Sequence, residues 1–547
     1  MKTKNILTFT LLIILTITSQ AQNAFWAKGF ATGTCDMLAT DAIGNIYAAA
    51  VFSDTIEIDG VEIIPENPYN SWLGKFNAAG ELQWIVNITS TNMVYVRDLI
   101  VDNNGNIVIA GSSLGMVDFG PLLMGNESDN FGRAFIAVYN PEGTCIDITG
   151  TNGETNVHFV AIATDATGNY GVCGVSEGSF AHGVELVPFY GDTDAIYGLF
   201  DSNLDPIWMK TIGGPDGDGG CAIAFDSNGE LILSGYFEGD FMLTDVPFTS
   251  YGDVDIFLVK TDTEGYFHWL RTLGSENSEY QYWMDIELDA NDYIYLAANM
   301  NEEISHQGGT NTSYGSTDFF VTRYNSAGGF DWFVHGGGEA DDLMYGMTKG
   351  NNDNLYVYGY FTGAFETDGL VLYADVAYDG FYCEIGTDGS ANLVAQTDGD
   401  DTESYTAATV DIYNNLIGAG IATENITFEG AGTIDGIAEI TTFLVKYETV
   451  YSIPEVGIEE NKYSINFQLY PNPTSTTINF DFIESEIAGK EIIIINASGV
   501  EITRYKMLDN DHSEINISLL PSGIYNALIV SEENIQLGAK AFAVMAQ

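Results

Sequence analysis

Three groups of closely spaced aspartates are the residues of this chain whose types most suggest ligand chemistry. Carboxylate oxygens are the ligands that Ca²⁺ prefers, and each group lies in an acidic, glycine-rich connection between predicted strands. Their spacing matches neither an EF-hand loop nor a nonapeptide Ca²⁺ repeat. Ca²⁺ is therefore the one cofactor that the sequence suggests, and an acidic, well-hydrated surface is the alternative interpretation. The candidate metal ligands are Asp216, Asp218, Asp341, Asp342, Asp398, Asp400 and Asp401.

No catalytic motif is present in the sequence. It lacks a G-x-S-x-G elbow, an H-E-x-x-H helix and a P-loop, and its 6 histidines share no metal-ligand spacing. Two carboxylates could cleave a glycosidic bond, but 77 acidic residues offer too many pairs to select one. We therefore predict no catalytic and no cofactor-binding residue. Four aromatic residues outside the repeat phases could stack on a sugar, or fill a core or rim position instead: Tyr280, Tyr282, Trp283 and Tyr314.

A short phrase recurs seven times at intervals of about 62 residues, which indicates one supersecondary unit copied seven times. Each copy begins with an anchor residue, and three residues later stands a Gly, Asp or Asn. These types tolerate a left-handed backbone, so they predict a tight turn in every copy. The anchors are Asp41, Asp102, Asp165, Asp226, Asp289, Gly350 and Asp411.

The rest of each copy predicts four short β-strands. An apolar strand follows the turn, and nine residues after the anchor stands Gly or Ala, which implies close packing against another backbone. A second strand rich in aromatic and branched residues comes next, such as the one at Asp194 or Asp318, followed by an aromatic strand such as the one at Trp269. Four-stranded sheets repeated around a ring make a β-propeller. We predict an all-β chain with seven blades, in which the N-terminal strand completes the last blade.

The copies resemble the SBBP type of bacterial β-propeller repeat. The shared pattern is a D-x-x-G-N turn, a strand ending in Gly, and a D-x-F strand followed by G-x-x-x-W. The resemblance covers residues 22–450 and implies the fold, but no activity. Asp292 and Asp353 replace the turn glycine in two copies, and Gly350 replaces one anchor.

Basic residues are scarce and four of them share one repeat phase. Lys75, Lys260, Arg323 and Lys446 each lie three residues after the aromatic residue of the D-x-F strand. A cation repeated at one phase predicts a recurring structural pair with an acid of the same blade, and an active-site role is the alternative.

The two ends of the chain predict its destination. Lys2 and Lys4 precede a short apolar run and a small, polar stretch, which is typical of a secretory signal peptide over residues 1–21. No later segment is apolar for about 20 residues, so no transmembrane helix is predicted. The predicted propeller spans residues 22–450, an acidic linker spans 451–466, and a small β-sandwich domain spans 467–547.

The C-terminal domain resembles the type A C-terminal sorting domain of the type IX secretion system. The matching residues include the Y-P-N-P motif and an L-P-S-G-I-Y run. The resemblance implies export through the periplasm, the secretion machinery as a partner, and a secreted or cell-surface location. The sorting-motif residues are Tyr470, Pro471, Asn472, Pro473, Gly523 and Tyr525.

Composition narrows the range of partners. A formal net charge of −60 repels nucleic acid and anionic membranes. The favoured hypothesis is a monomeric, non-enzymatic propeller that binds an extracellular protein or glycan through the loops of one face. The alternatives are an extracellular hydrolase or lyase with carboxylates at the mouth of the central channel, and a purely structural or adhesive surface protein.

Overall fold

The structure is a computed structural model that describes most of the chain from residue 24 onward, and every regular element within it is a β-strand. The predicted signal peptide, 1–21, and the predicted linker, 451–466, lie outside the described residues. The described ranges are 24–31, 34–67, 69–127, 130–152, 154–182, 185–243, 246–276, 283–367, 370–374, 377–399, 401–428, 430–436, 440–447, 467–470, 477–482, 491–496, 501–506, 512–517, 523–530 and 536–544.

The repeat region forms a seven-bladed β-propeller, as predicted. Each blade is an antiparallel sheet whose strands run in chain order from the central channel outward. The innermost strands of blades 1 to 7 are Met37–Thr40, Met93–Val101, Val157–Thr164, Asp218–Phe225, Asp285–Leu288, Leu343–Lys349 and Glu403–Val410. The second strands are Ile46–Phe52, Ile107–Leu114, Tyr170–Ser176, Leu231–Leu243, Ile294–His306, Leu355–Phe361 and Leu416–Ala422.

The outer half of each blade completes the sheet. The third strands are Asn70–Phe76, Arg133–Tyr139, Asp194–Phe200, Val246–Thr261, Gly309–Tyr324, Asp379–Ile385 and Thr441–Tyr447. The outermost strands of blades 1 to 6 are Leu82–Ser90, Cys145–Gly150, Pro206–Ile212, Phe267–Leu273, Phe330–Gly336 and Ala391–Gln396.

The N-terminal strand closes the ring. Ala24–Ala31 is the outermost strand of blade 7 and pairs antiparallel with Thr441–Tyr447, from Ala24 opposite Tyr447 to Ala31 opposite Thr441. This pairing confirms that the two ends of the repeat region complete one blade, and it leaves the ring without an open edge.

A hairpin between the second and third strands of a blade reaches back to the preceding blade. In blades 4 and 5 this hairpin continues the two long strands themselves. In blades 1 and 2 it adds two strands to the outer edge of the preceding blade. The separate short strands are Ile56–Ile58, Val61–Ile63, Val117–Asp118, Leu123–Met124, Phe180–His182, Glu185–Val187, Ala364–Thr367, Leu370–Tyr373, Asp398–Gly399, Ile426–Phe428 and Gly432–Ile434.

The predicted tight turns are all present. The residue three places after each anchor has a positive φ, between 58° and 89°, whether it is Gly, Asp or Asn. An L side chain is strained in this region unless it is short and polar, which explains the three residue types found there.

The small residue nine places after the anchor faces a β-bulge in the innermost strand. In the five blades that have Gly here, an added Cβ would lie 1.9 to 2.1 Å from a main-chain oxygen of that strand. All five innermost strands carry a bulge at this point. In blades 1 and 5, which have Ala50 and Ala298 instead, the pairing of the innermost strand ends one residue earlier, opposite Ala49 and Ala297. Glycine is therefore required where the bulge brings two backbones together.

Tryptophans join neighbouring blades by hydrogen bonds and ring packing. An outer-strand indole N–H donates to a main-chain carbonyl in a turn of the following blade, and the ring lies against a glycine of that turn. Trp26 does the same across the closure, from blade 7 to blade 1. The pairs are Trp26 with Ala78 (3.3 Å), Trp84 with Pro141 (3.1 Å), Trp208 with Thr263 (3.1 Å), Trp269 with Ser326 (3.2 Å) and Trp332 with Thr387 (3.1 Å).

The hydrophobic core of the propeller lies between the blades. Seven clusters of buried side chains are each shared by two neighbouring blades. The cluster at the closure joins Phe30 and Leu444 of blade 7 to Ile46 and Trp72 of blade 1. All five cysteines are free thiols, so burial rather than disulfide bonding holds the ring together.

The C-terminal region is a small β-sandwich, as predicted. One sheet contains Phe467–Tyr470, Thr477–Phe482 and His512–Asn516, and the other contains Glu501–Lys506, Glu491–Asn496, Gly523–Val530 and Gln536–Val544. Apolar residues of both sheets meet in one core, including Phe480, Ile494 and Ile529.

We expect Gly174→Ala to lower the free energy of unfolding by about 3 kcal/mol, because its methyl group would lie 1.9 Å from the carbonyl oxygen of His158. Ala298→Gly, at the matching position of a blade whose innermost strand pairs only as far as Ala297, should cost only about 1 kcal/mol. Urea unfolding of the two variants and the wild type measures both effects. Equal losses would contradict the role assigned to the bulge.

Candidate functional site

The anchor aspartates cap turns and hold cations, so they are structural. Asp226 Oδ1 accepts hydrogen bonds from the main-chain N–H groups of Asn228 and Glu230, both at 2.9 Å. Its Oδ2 lies 2.7 Å from Lys260 Nζ. Burial raises the pKa of Asp226, but Lys260 and the turn amides outweigh this effect and hold the pKa below its ordinary value.

Three of the four cations that share a repeat phase pair with an anchor in this way, as predicted. Lys446 Nζ lies 2.7 Å from Asp411 Oδ2, and Arg323 Nη2 lies 3.0 Å from Asp289 Oδ2. Lys75 is the exception because it donates to the carbonyl oxygen of Pro141 at 3.1 Å.

A central cavity of about 570 Å³ is lined by the innermost strands of all seven blades. Three half-buried acids on these strands have raised pKa values. Burial raises the pKa of Asp98 to about 6, that of Glu287 to about 7 and that of Asp285, which also lies near Glu287, to about 8. Perturbed carboxyl groups in a cavity are the usual sign of an active site.

The hydrogen bonds of Asp98 and Asp285 assign these two acids a structural role. Asp98 Oδ2 accepts from the N–H of Ile162 at 2.7 Å, and Asp285 Oδ2 accepts from the N–H of Met347 at 3.0 Å. The donor belongs to the next blade in both cases. The other oxygen of each carboxyl accepts from the N–H of the following residue. These groups tie neighbouring blades together, and a general base needs an oxygen that can reach a substrate proton.

The predicted Ca²⁺ ligands that are close in sequence do not form one site in the structure. Asp216 and Asp341 are exposed, whereas Asp218 and Asp342 are completely buried. Asp401 is half-buried and accepts from the Thr423 hydroxyl at 3.2 Å.

The third group of candidates is described only in part. Asp398 pairs with Thr427 in a short strand, and Asp400 lies outside the described residues. Within the described ranges, no group of three or more His, Cys, Asp or Glu side chains is arranged to hold a metal ion.

The buried aspartates instead meet an acid from the preceding blade. Asp218, at the start of blade 4, lies beside Asp194 of blade 3, and Asp342 of blade 6 lies beside Asp318 of blade 5. Asp194 and Asp318 were recognised in the sequence only as the first residue of the D-x-F strand. The sequence signal for these pairs is the constant separation between the first residue of a D-x-F strand and an acid at the start of the next copy.

Exposed tyrosines occupy one repeat phase on three consecutive blades. Tyr190, Tyr251 and Tyr314 are 58%, 61% and 46% exposed, and each precedes a glycine and, four residues on, the third-strand aspartate. Tyr314 therefore belongs to the repeat, contrary to the sequence interpretation of it as an off-phase residue. Its ring also stacks on His335, with ring centroids 4.7 Å apart.

These tyrosines lie on the end of the propeller that carries the loops between second and third strands, which we call the hairpin face. The innermost strands begin at the same end because successive strands are antiparallel. A row of aromatic rings continues there, with Trp283 next to Tyr345, Tyr345 next to Tyr360, and Tyr360 next to Tyr378, at centroid distances of 5.0, 5.7 and 5.0 Å. Tyr280 and Tyr282 lie outside the described residues.

The residues of the predicted sorting motif lie in the C-terminal sandwich. Tyr470 ends a strand and pairs with Asn479. Gly523 begins the strand in which Tyr525 is buried in the core of the domain. Pro471, Asn472 and Pro473 lie outside the described residues.

A protein-family model decides the assignment of this region. The model described as the secretion system C-terminal sorting domain matches residues 468–541. These residues are a C-terminal sorting domain. The sorting domain implies interaction with the type IX secretion machinery and export to the cell surface or the extracellular space.

Comparisons of the whole chain give weaker likenesses. An uncharacterized WD repeat-containing protein, L264, of Acanthamoeba polyphaga mimivirus is 23% identical over 188 residues, a match that covers 29% of this chain and 13% of that protein. A fungal alcohol oxidase of the AA5 family in complex with copper has a TM-score of 0.41 and 11% identity, over 96% of this chain and 100% of that one.

Two further solved structures are bacterial proteins. PorZ, a surface component of the type-IX secretion system of Porphyromonas gingivalis, has a TM-score of 0.25 and 10% identity, over 95% of this chain and 100% of that one. A protein of unknown function from Bacteroides thetaiotaomicron has a TM-score of 0.25 and 11% identity, over 77% and 97%. TM-scores of this size do not carry a site or an activity from one chain to another.

The described part of the chain contains no helix that is long and apolar enough to span a membrane.

We expect the stability of the propeller to fall as the pH rises from about 4 to 8. The pKa of Asp285 is raised from 3.8 to about 8, so over this interval the folded protein holds a proton that the unfolded chain has released. Asp285→Asn should therefore show a shallower decline of the unfolding midpoint with pH than the wild type. Thermal unfolding at a series of pH values tests this. Parallel curves for the two proteins would contradict it.

Proposed function

We propose that this protein is an exported binding propeller that recognises an extracellular protein or glycan through its hairpin face. The observation that carries the proposal is the array of Tyr190, Tyr251 and Tyr314, exposed at the same phase of three neighbouring blades. Tyrosine supplies a large, rigid contact surface with a polar tip, and it is enriched in recognition surfaces for that reason.

The two faces of the ring differ in a way that supports this choice. On the opposite face, the anchor turns are capped by their own aspartates, and the neighbouring turns are covered by tryptophans of the adjacent blade. Those groups are occupied in holding the ring together. The hairpin face keeps large aromatic surface in contact with solvent.

The cavity geometry favours binding over catalysis. The oxygens of Asp98 and Asp285 accept main-chain N–H groups from their own and the neighbouring blade. A hydrolase or lyase needs an acid and a base that reach the same scissile bond. We also propose that the repeats are of the SBBP type and that the exported protein is a monomer.

The test is binding of the purified full-length protein to panels of polysaccharides and of extracellular proteins. We expect retention of at least one member without turnover. The triple variant Tyr190→Ala, Tyr251→Ala, Tyr314→Ala should weaken that binding at least tenfold, because each aromatic anchor contributes about 1 kcal/mol or more. Surface plasmon resonance measures the loss.

Tyr266→Ala is the matched control. Tyr266 is 60% exposed but lies in a turn on the opposite face, so its removal should leave the affinity unchanged. Turnover of any panel member, or an equal loss with the control variant, would overturn the proposal.

A further inference from the structure

Neighbouring blades are joined by a repeated main-chain hydrogen bond at the hairpin face. One partner is the carbonyl oxygen of the residue just before the D-x-F position in the third strand of a blade. It accepts a hydrogen bond from a main-chain N–H at the beginning of the next blade. This hydrogen bond brings together two side chains, that of the residue after the acceptor and that of the donor residue. The pairs are Tyr69 O with Val94 N (3.0 Å), Gly132 O with Val157 N (3.0 Å), Thr193 O with Asp218 N (2.8 Å), Thr317 O with Asp342 N (2.7 Å) and Tyr378 O with Glu403 N (2.9 Å).

Acids occur at these junctions in pairs. Where the residue after the acceptor carbonyl is Asp194, Asp318 or Asp379, the donor in the next blade is also an acid. Where that residue is Asn70 or Arg133, the donor is valine. Two buried carboxylates side by side repel each other, so such a pair holds either a shared proton or a compensating positive charge.

At two junctions the carboxyl groups of both blades leave an oxygen without a partner. Asp255 Oδ1 of blade 4 is also without a partner, and residues 277–282, which follow blade 4 in the chain, lie outside the described residues. The side chains at the blade 3–4 and blade 5–6 junctions are completely buried, and one oxygen of each carboxyl accepts a main-chain N–H. The other oxygen has no hydrogen-bond partner, and within the described ranges no Lys, Arg or His forms an ion pair with these acids. A buried unsatisfied oxygen is costly unless an ion or water fills the site. The unpartnered atoms at these two junctions are Asp194 Oδ1, Asp218 Oδ1, Asp318 Oδ1 and Asp342 Oδ2.

A glycine-rich segment passes close to these oxygens. An added Cβ on Gly213 would lie 2.3 Å from Asp194 Oδ1, and one on Gly337 would lie 2.1 Å from Asp318 Oδ1. Only glycine, which has no Cβ, fits beside these oxygens. The main-chain oxygens of the next two residues lie in the same junction, against Gly191 in one case and Gly315 in the other.

We propose that a divalent cation, Ca²⁺, binds at each of these two junctions and links one blade to the next. The ligands would be two carboxylates, one from each blade, together with main-chain oxygens and water. Ca²⁺ accepts six to eight oxygen ligands in irregular geometry, whereas Zn²⁺ and Cu²⁺ select nitrogen and sulfur. Each site has few charges, so the affinity should be on the order of 10⁻⁴–10⁻³ M, as in extracellular modules.

Burial raises the pKa of all four junction acids above their ordinary values. Burial raises the pKa of Asp194 to about 6 and that of Asp218, which also lies near Asp194 and Asp216, to about 7. Asp318 and Asp342 behave alike, with pKa values of about 7 and 6, near Asp341. A proton would take the place of the cation in its absence, so protons and Ca²⁺ compete for the pair.

The experiment is thermal unfolding and calorimetric Ca²⁺ titration of the full-length protein after treatment with EGTA. We expect Ca²⁺ to raise the unfolding midpoint. Asp218→Asn and Asp342→Asn should each reduce the number of bound Ca²⁺ by one. In EGTA each variant should unfold at a higher temperature than the wild type, because the like-charge repulsion is gone while the amide oxygen still accepts the main-chain N–H.

Asp54→Asn is the matched control, since it removes one charge from an exposed position. It should change neither the stoichiometry nor the Ca²⁺ shift. The proposal is overturned if Ca²⁺ leaves the wild-type midpoint unchanged, or if the junction variants are stabilised equally with Ca²⁺ and with EGTA, which is the result expected for carboxyls that share a proton. These readouts do not depend on the ligand of the hairpin face.

Discussion

Each blade of this protein is a sheet with two apolar faces, and only the neighbouring blades can cover them. The core consequently consists of seven shared clusters, and the ring has to close before the last two faces are buried. Phe30 and Leu444 meet Ile46 because Ala24–Ala31 pairs with Thr441–Tyr447. Across the closure, Trp26 then makes the same hydrogen bond to the next blade that the other tryptophans make. Closure depends on residues at opposite ends of the repeat region.

Local features of the fold were readable in the sequence because their causes lie within one copy. The turn after Asp102 needs Gly105 with a positive φ, and the bulge needs Gly111 against the backbone of the innermost strand. The same holds for Lys260, whose partner Asp226 belongs to the same blade. Such requirements recur with the period and can be recognised without coordinates.

The junction acids and the tyrosine array could not be read in the same way. Asp216 lies next to Asp218 in sequence, but burial separates them and the ring brings Asp194 to Asp218 instead. Which residues meet at a junction depends on the register between two blades, and periodicity alone does not reveal that register. Tyr190 and Tyr314 each stand 25 residues after their anchor, so their shared phase is in the sequence, whereas their exposure on one face of the ring depends on the fold.

The carboxylates inside this acidic chain have three different sets of partners. Asp226 has a lysine and turn amides, and its pKa is lowered. Asp98 has two main-chain N–H donors and no cation, and its pKa is raised. Asp318 has a main-chain donor for one oxygen and nothing for the other. Since no Lys, Arg or His of the described residues forms an ion pair with Asp318, a proton or a metal ion from solution would have to neutralise it.

The two proposals meet at Tyr190. Its side chain belongs to the exposed array, and its main-chain N–H donates to Asp194 Oδ2 at 2.6 Å, next to the unpartnered oxygen. A cation that fixes Asp194 would also fix the backbone that carries the tyrosine ring. Binding on the hairpin face would then lose less conformational freedom, and the two ligands would strengthen each other reciprocally. Blades 1 and 2, which have no junction acids, would present their loops without this coupling.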